Sequence, residues 1–245
     1  MQIAIKYTTP DLLPAAQQLA QELHLPINIE ADAFLVLSPQ HLALVTHSKF
    51  KPIVVDFLSP KFDMRRKNIS HRNELIARAV GLKGKAGLTI IDATAGLGQD
   101  AFILATLGAN VRMLERSPII GCLLADGLQR LYVQMPHLID RLTLTIGDAR
   151  KVLQKLSANN YPEVIYLDPM HPPRAKSALV KKEMRILRQI VGIDEDKIEL
   201  FNLARTIAKQ RVVIKLPIAA DCITDLKPSM QFKGVHTRFD VYLTE

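Results

Sequence analysis

A chain of 245 residues that is 48% hydrophobic and 23% charged can bury one sizeable core and a small extra lobe, which excludes a disordered polyelectrolyte. Lys and Arg outnumber Asp and Glu by 32 to 24, a formal charge of +8 that suits a polyanionic partner whose condensed counterions are released on binding. The two cysteines, Cys122 and Cys222, suggest neither a disulfide framework nor a zinc cluster, and no leader-like start or membrane-length apolar run is visible, so a reducing cytoplasm is the expected location.

The chain opens on alternating Ile3, Ile5 and Tyr7, a strand pattern, followed by Leu12, Ala16, Leu19 and Leu23 at helical spacing behind Pro10-Asp11. Short apolar runs at 33–37, 42–45 and 53–57, separated by Ser38-Pro39 and Lys51-Pro52, predict a meander of strands. Between 59 and 85 the texture turns basic, with Arg65, Arg66, Lys67 and Arg72 among the charges. A boundary is placed here, dividing a small N-terminal α+β lobe (1–70) from a larger α/β domain (71–245).

From residue 88 a regular alternation begins. Strands are predicted over 88–92, 111–115, 142–146 and 164–167, with helices over 100–107, 118–133 and 149–156 between them. Helix-length segments between short β-branched runs close into a mostly parallel sheet with right-handed crossovers. Helical stretches at 181–191 and 194–209 precede a strand at 212–216 and a last one near 239–243.

The first of these strands ends in Asp92-Ala93-Thr94-Ala95-Gly96-Leu97-Gly98, an acid followed by a glycine turn into a helix. Gly96 and Gly98 tolerate positive φ and let a ligand approach the backbone closely. Glu115 ends the next strand, where a carboxylate can accept from both hydroxyls of a ribose, and Asp148 follows the third, within reach of an adenine amino group. Gly96-Leu97-Gly98-Gln99-Asp100-Ala101 also satisfies the loose dinucleotide fingerprint, so a nicotinamide-dependent oxidoreductase stays open. Asp100 in the first helical turn would repel a pyrophosphate, whereas the ammonium and sulfonium of S-adenosylmethionine are compatible with Asp92 and Asp100.

The strand at 164–167 runs into Asp168-Pro169-Met170-His171-Pro172-Pro173. Ligands of open α/β sheets sit beyond the carboxyl ends of the strands, so Asp168 should stand beside the glycine turn. A carboxylate there can accept from an exocyclic amino group and hold its nitrogen in line with a methyl donor. His171 occupies a place from which a ring can stack on an extruded base.

The run from Asp168 through Arg174-Ala175-Lys176-Ser177-Ala178-Leu179-Val180-Lys181-Lys182-Glu183-Met184-Arg185 resembles the signature of the RsmJ family of ribosomal RNA guanine-N2 methyltransferases. Asp92–Gly98 and Leu114-Glu115-Arg116-Ser117-Pro118 are similar to that family's other two blocks. The resemblance implies a class I S-adenosylmethionine-dependent methyltransferase, with a Rossmann-like, mostly parallel seven-stranded sheet, acting on a guanine of the 16S RNA of the small ribosomal subunit. It places cofactor contacts on Gln99 and Asp100, Glu115 and Arg116, Asp148 and Ala149, and Asp168. Three positions depart from the family pattern: Gln99 stands for an arginine, Asp148-Ala149 for a small hydroxyl pair, and His171 for tyrosine or phenylalanine.

Arg174, Lys176, Lys181, Lys182 and Arg185 follow the fourth strand directly and are the expected contacts to the RNA backbone. The histidines have no metal-ligand spacing and no metal is assigned; G-x-S-x-G is absent, which disfavours a hydrolase. A noncatalytic RNA-binding or assembly factor on the same fold is the other alternative, motivated by net charge and by the departures at Gln99 and His171.

Overall fold

Residues 164–167 are buried at every position, which a strand achieves only with neighbours on both edges and packed layers on both faces. Val164 and Tyr166 point into one core and Ile165 and Leu167 into the other, the period-two alternation of a pleated strand. The computed structural model describes residues 1–46, 51–84, 86–169 and 196–244, with Lys61 by its backbone alone.

The N-terminal part contains β1 (Ile3–Tyr7), α1 (Leu13–Leu23), β2 (Ala33–Leu37) and β3 (Leu42–Thr46), followed by α2 (Pro60–Asn68) and α3 (Leu75–Val80). Then come β4 (Thr89–Asp92), α4 (Gln99–Thr106), β5 (Asn110–Glu115), α5 (Pro118–Gln134), β6 (Leu142–Ile146), α6 (Ala149–Gln154) and β7 (Val164–Leu167). The chain closes with α7 (Lys197–Ile207), β8 (Arg211–Pro217), β9 (Met230–Lys233) and β10 (Thr237–Leu243).

Seven strands form one sheet in the order β6-β5-β4-β7-β8-β10-β9. From β6 to β8 all pairs are parallel, and β10 runs antiparallel to both β8 and β9. The chain builds outward from β4 to β6, then returns to place β7 on the other side of β4. That reversal makes the carboxyl ends of β4 and β7 the topological switch point, the crevice position at which an open α/β sheet binds its ligand.

The predicted alternation from 88 to 167 is observed with end shifts of one or two residues. The helix expected over 181–191 lies outside the described residues. Strand β1 pairs parallel with β2 because α1 carries the chain back before β2 begins, and β2 and β3 form the antiparallel pair of the predicted meander. Three features differ from expectation. Residues 53–57 contribute a single bridge, Ile53 to Leu44, instead of a strand. The basic stretch contains α2 and α3, and β9 was not anticipated because its residues are largely exposed and carry no apolar alternation.

One hydrophobic cluster runs through the N-terminal sheet and the α4–α5 side of the large sheet. It includes Ile5, Leu35 and Leu44 together with Phe102, Leu124 and Leu128. On the opposite face, Ile91, Leu114, Ile165 and Ile214 pack against Phe201 and Ala204 of α7. Among the described residues, no helix is long and apolar enough to cross a membrane.

Residues 53–57 join the cluster through side chains: Ile53, Val55 and Phe57 are buried, and the Arg130 guanidinium of α5 donates to the Val55 carbonyl at 2.5 Å. A Cβ at Gly127 of α5 would stand 2.5 Å from Val55 Cγ1 and 2.8 Å from its carbonyl oxygen. Alanine normally favours a helix interior over glycine by about 1 kcal/mol. Here the backbone contact outweighs that gain, and Gly127→Ala is expected to lower stability by about 1–3 kcal/mol in urea unfolding. A variant as stable as the parent would mean that the 53–57 segment does not pack on α5.

Candidate active site at the carboxyl edge of the sheet

Four adjacent strands end on one edge, and each delivers an acid there: Asp92 at the end of β4, Glu115 at the end of β5, Asp148 after β6 and Asp168 after β7. The glycine turn links three of them through backbone amides and the Thr94 hydroxyl. Asp92 Oδ1 accepts from the Thr94 amide at 3.2 Å, and the Thr94 hydroxyl accepts from the Asp168 amide at 2.5 Å. The Glu115 carboxylate accepts from the Gly96 amide at 2.9 Å and from the Ser117 amide at 2.7 Å.

The two glycines do different work. Gly96 has φ +54° and nothing within 4 Å of the place its Cβ would occupy, so the turn presents open space on that side. Gly98, at φ +71°, backs onto the core: a Cβ there would meet Leu124 at 2.7 Å and Phe57 at 3.1 Å. Gln99 follows on the exposed start of α4, while Ala149 is buried at the start of α6.

Asp148 caps α6. Its Oδ1 accepts from the Arg150 amide at 2.9 Å, and the Arg150 guanidinium holds both oxygens, at 3.2 and 2.8 Å. Hydrogen bonding by Arg150 is the chief reason the carboxyl lies below the ordinary aspartate value. Arg150 also pairs with Asp196 at 3.2 Å, and Arg116 reaches Asp196 at 3.4 Å. Arg116 and Asp148 therefore share one ion network at the β5–β6 end of the edge, to one side of the crevice.

The acids nearest the crevice have contrasting environments. Asp92 is 2% exposed, and burial pushes its carboxyl well above the usual range against the pull of the Thr94 amide. Asp100 is also dehydrated, but Lys215 offsets the burial and holds it below the ordinary value. Lys215 Nζ lies 2.7 Å from Asp100 Oδ2 and 2.8 Å from Asp168 Oδ2, and the Tyr166 hydroxyl donates to the same Asp100 oxygen at 2.6 Å.

Asp92, Gly96, Gly98, Asp100, Glu115 and Asp168 thus come together, with Gln99 at the rim. His171, Arg174, Lys176, Lys181, Lys182 and Arg185 lie outside the described residues. Lys215, Tyr166 and Thr94 were not singled out from the sequence. The available signal was a lone lysine in the otherwise apolar Val212-Val213-Ile214-Lys215-Leu216, because a charge in an inner strand must find a partner. No cluster of three or more His, Cys, Asp or Glu suited to a metal occurs among the described residues.

The chain matches known proteins over nearly its whole length. The model of the SAM_MT family, described as a SAM-dependent methyltransferase family, matches residues 18–244. "Ribosomal RNA small subunit methyltransferase J" of Thioalkalivibrio sulfidiphilus is 46% identical, covering 99% of this chain and 98% of the relative. The protein of that name from Coxiella burnetii is 45% identical, with 98% and 96% covered. A crystal structure of a SAM-dependent methyltransferase from Neisseria gonorrhoeae superposes with a TM-score of 0.75 at 31% identity, covering 98% of this chain and 95% of that one.

The buried carboxyl of Asp92 sets a test. Its raised value in the folded state means that the unfolded chain ionises first, near pH 3.9. Wild-type stability should therefore fall as pH rises from there through the folded value. Asp92→Asn, which keeps an acceptor for the Thr94 amide, is expected to gain on the parent across that window in urea unfolding at stepped pH. Parallel stability curves would contradict the assigned burial.

Proposed function

Because the chain belongs to the ribosomal RNA small subunit methyltransferase J family of S-adenosylmethionine-dependent methyltransferases, we propose that it methylates the exocyclic N2 of a guanosine in 16S ribosomal RNA, with Asp168 as the catalytic acceptor. The observation carrying this reading is the position of Asp168 at the mouth of the β4–β7 crevice, tied through its amide to the glycine turn and through its carboxylate to Lys215.

The residues present fit the cofactor. Gly96 leaves an open cradle, Glu115 is locked beside it by two backbone amides, and the surrounding acids suit a cationic ligand. S-adenosylmethionine, when bound, supplies a methyl group already activated on a sulfonium. Gly96 and Gly98 shape the turn that receives it, Glu115 provides carboxylate acceptors for ribose hydroxyls, and Asp92 and Asp100 make the wall acidic. Gln99, Arg116, Asp148 and Ala149 complete the proposed cofactor contacts, with Asp148 and Arg116 oriented by Arg150 and Asp196.

Asp168 accepts a hydrogen bond from the guanine amino group, holds its nitrogen at the crevice and receives its proton as the new N–C bond forms. His171, three residues on, is proposed to stack on the base, and Arg174, Lys176, Lys181, Lys182 and Arg185 to contact RNA phosphates. This assignment rests on their place in the chain directly after Asp168.

Two measurements check the reading. In calorimetry, Glu115→Ala is expected to abolish detectable binding of S-adenosylmethionine and S-adenosylhomocysteine; unchanged affinity would remove Glu115 from the pocket. Asp168→Ala should retain cofactor binding but lose about 100-fold or more in labelled-methyl transfer to unmodified ribosomal RNA. Transfer at the parental rate would exclude Asp168 as the acceptor, and no transfer by the parent would favour a noncatalytic RNA-binding factor.

A further inference from the structure

Inner strands of a parallel sheet seldom carry charge, because dehydrating an ammonium is costly unless a counter-charge meets it. On β8, Val212, Val213, Ile214 and Leu216 are buried as expected, and Lys215 interrupts them. Register explains where it points. Val213 pairs with Tyr166 on β7, and Lys215, two residues further, lies on the same face of the sheet, toward α4. There its nitrogen bridges Asp100 of α4 and Asp168 after β7.

We propose that Lys215 is a positioning residue for methyl transfer: bridging the two carboxylates, it keeps Asp168 ionised and oriented to accept a hydrogen bond from the substrate amino group. The proposal rests on the role given to Asp168 above. Two oxygens in contact with one nitrogen lie within the ~4–6 Å over which one carboxylate disfavours ionisation of another. Without a cation between them, Asp168 would take up a proton at a higher pH and offer an O–H donor where an amino group needs an acceptor.

The surrounding groups support this assignment. Asp92 of β4 and Tyr166 of β7 border the cluster; burial pushes both toward their neutral forms, and neither supplies a cation. Arg65 of α2 influences Asp100 from a distance, but its guanidinium is engaged by Glu74 at 3.1 and 3.0 Å. Lys215 is the nearer cation. Burial would lower its own value, yet Asp168 and Asp100 hold it above that of an ordinary lysine, so it remains an ammonium.

The test is a titration of Asp168 by carboxyl carbon NMR in the ligand-free full-length protein, alongside the pH profile of methyl transfer to unmodified ribosomal RNA. In Lys215→Met, both the Asp168 titration and the acidic limb of kcat should move up by about one pH unit or more. Lys215→Arg should restore both. Asp100→Asn keeps an acceptor for Lys215 and Tyr166 while removing the competing charge, so Asp168 should titrate at a lower pH; this variant decides the matter should Lys215→Met fail to fold. An Asp168 titration unmoved in Lys215→Met, a pH-independent loss of kcat, or an unchanged or raised titration in Asp100→Asn would overturn the proposal. Failure of the Asp168 assignment is distinguishable, since Asp168→Asn would then transfer methyl groups at the parental rate whatever the titrations show.

Discussion

The crevice between β4 and β7 follows from a constraint of parallel sheets. Strand order reverses at β4, with β5 on one side and β7 on the other, and this is the topological switch point at which an open α/β sheet places its ligand. Side-chain and backbone hydrogen bonds then define the walls. Thr94 connects the first loop to Asp168, and Glu115 gathers the Gly96 and Ser117 amides, so three strand ends are tied together. Fixing these groups before a ligand arrives reduces the ordering that binding would otherwise require.

Electrostatics divides the same edge into two parts. Around Asp148, arginines dominate: Arg150 and Arg116 converge on Asp196 and tie the start of α7 to α6 and to the end of β5. Around Asp168, among the described residues, acids dominate, and Lys215 offsets two of them. Asp92, the most dehydrated of the set, has its carboxyl pushed toward the neutral form by burial. In this second part Asp100 and Asp168 both meet Lys215, so their oxygens are already oriented.

Behind the glycine turn, the N-terminal segment acts as a buttress. Phe57 stacks on Phe102 of α4 with ring centroids 5.0 Å apart, and Phe62 of α2 meets Phe102 edge-on at 5.6 Å. Phe57 also closes the side of Gly98 that faces away from the open cradle at Gly96. The N-terminal residues thus support the glycine turn through packing, because one hydrophobic cluster underlies both.

Local patterns in the chain were sufficient for the alternating strands and helices, for the glycine turn and for the acids at strand ends, because side-chain periodicity and turn chemistry are short-range properties. The reading failed where structure depends on distant partners. Residues 53–57 look like a strand but are held by side-chain packing on α5, and β9 has little apolar pattern because it lies at an edge. Asp100 was legible as an acid compatible with a cationic ligand, but its pairing with Lys215 was not. Only the register of β7 against β8 and the placement of α4 over them bring that pair together, through contacts between residues more than a hundred positions apart that no local spacing encodes.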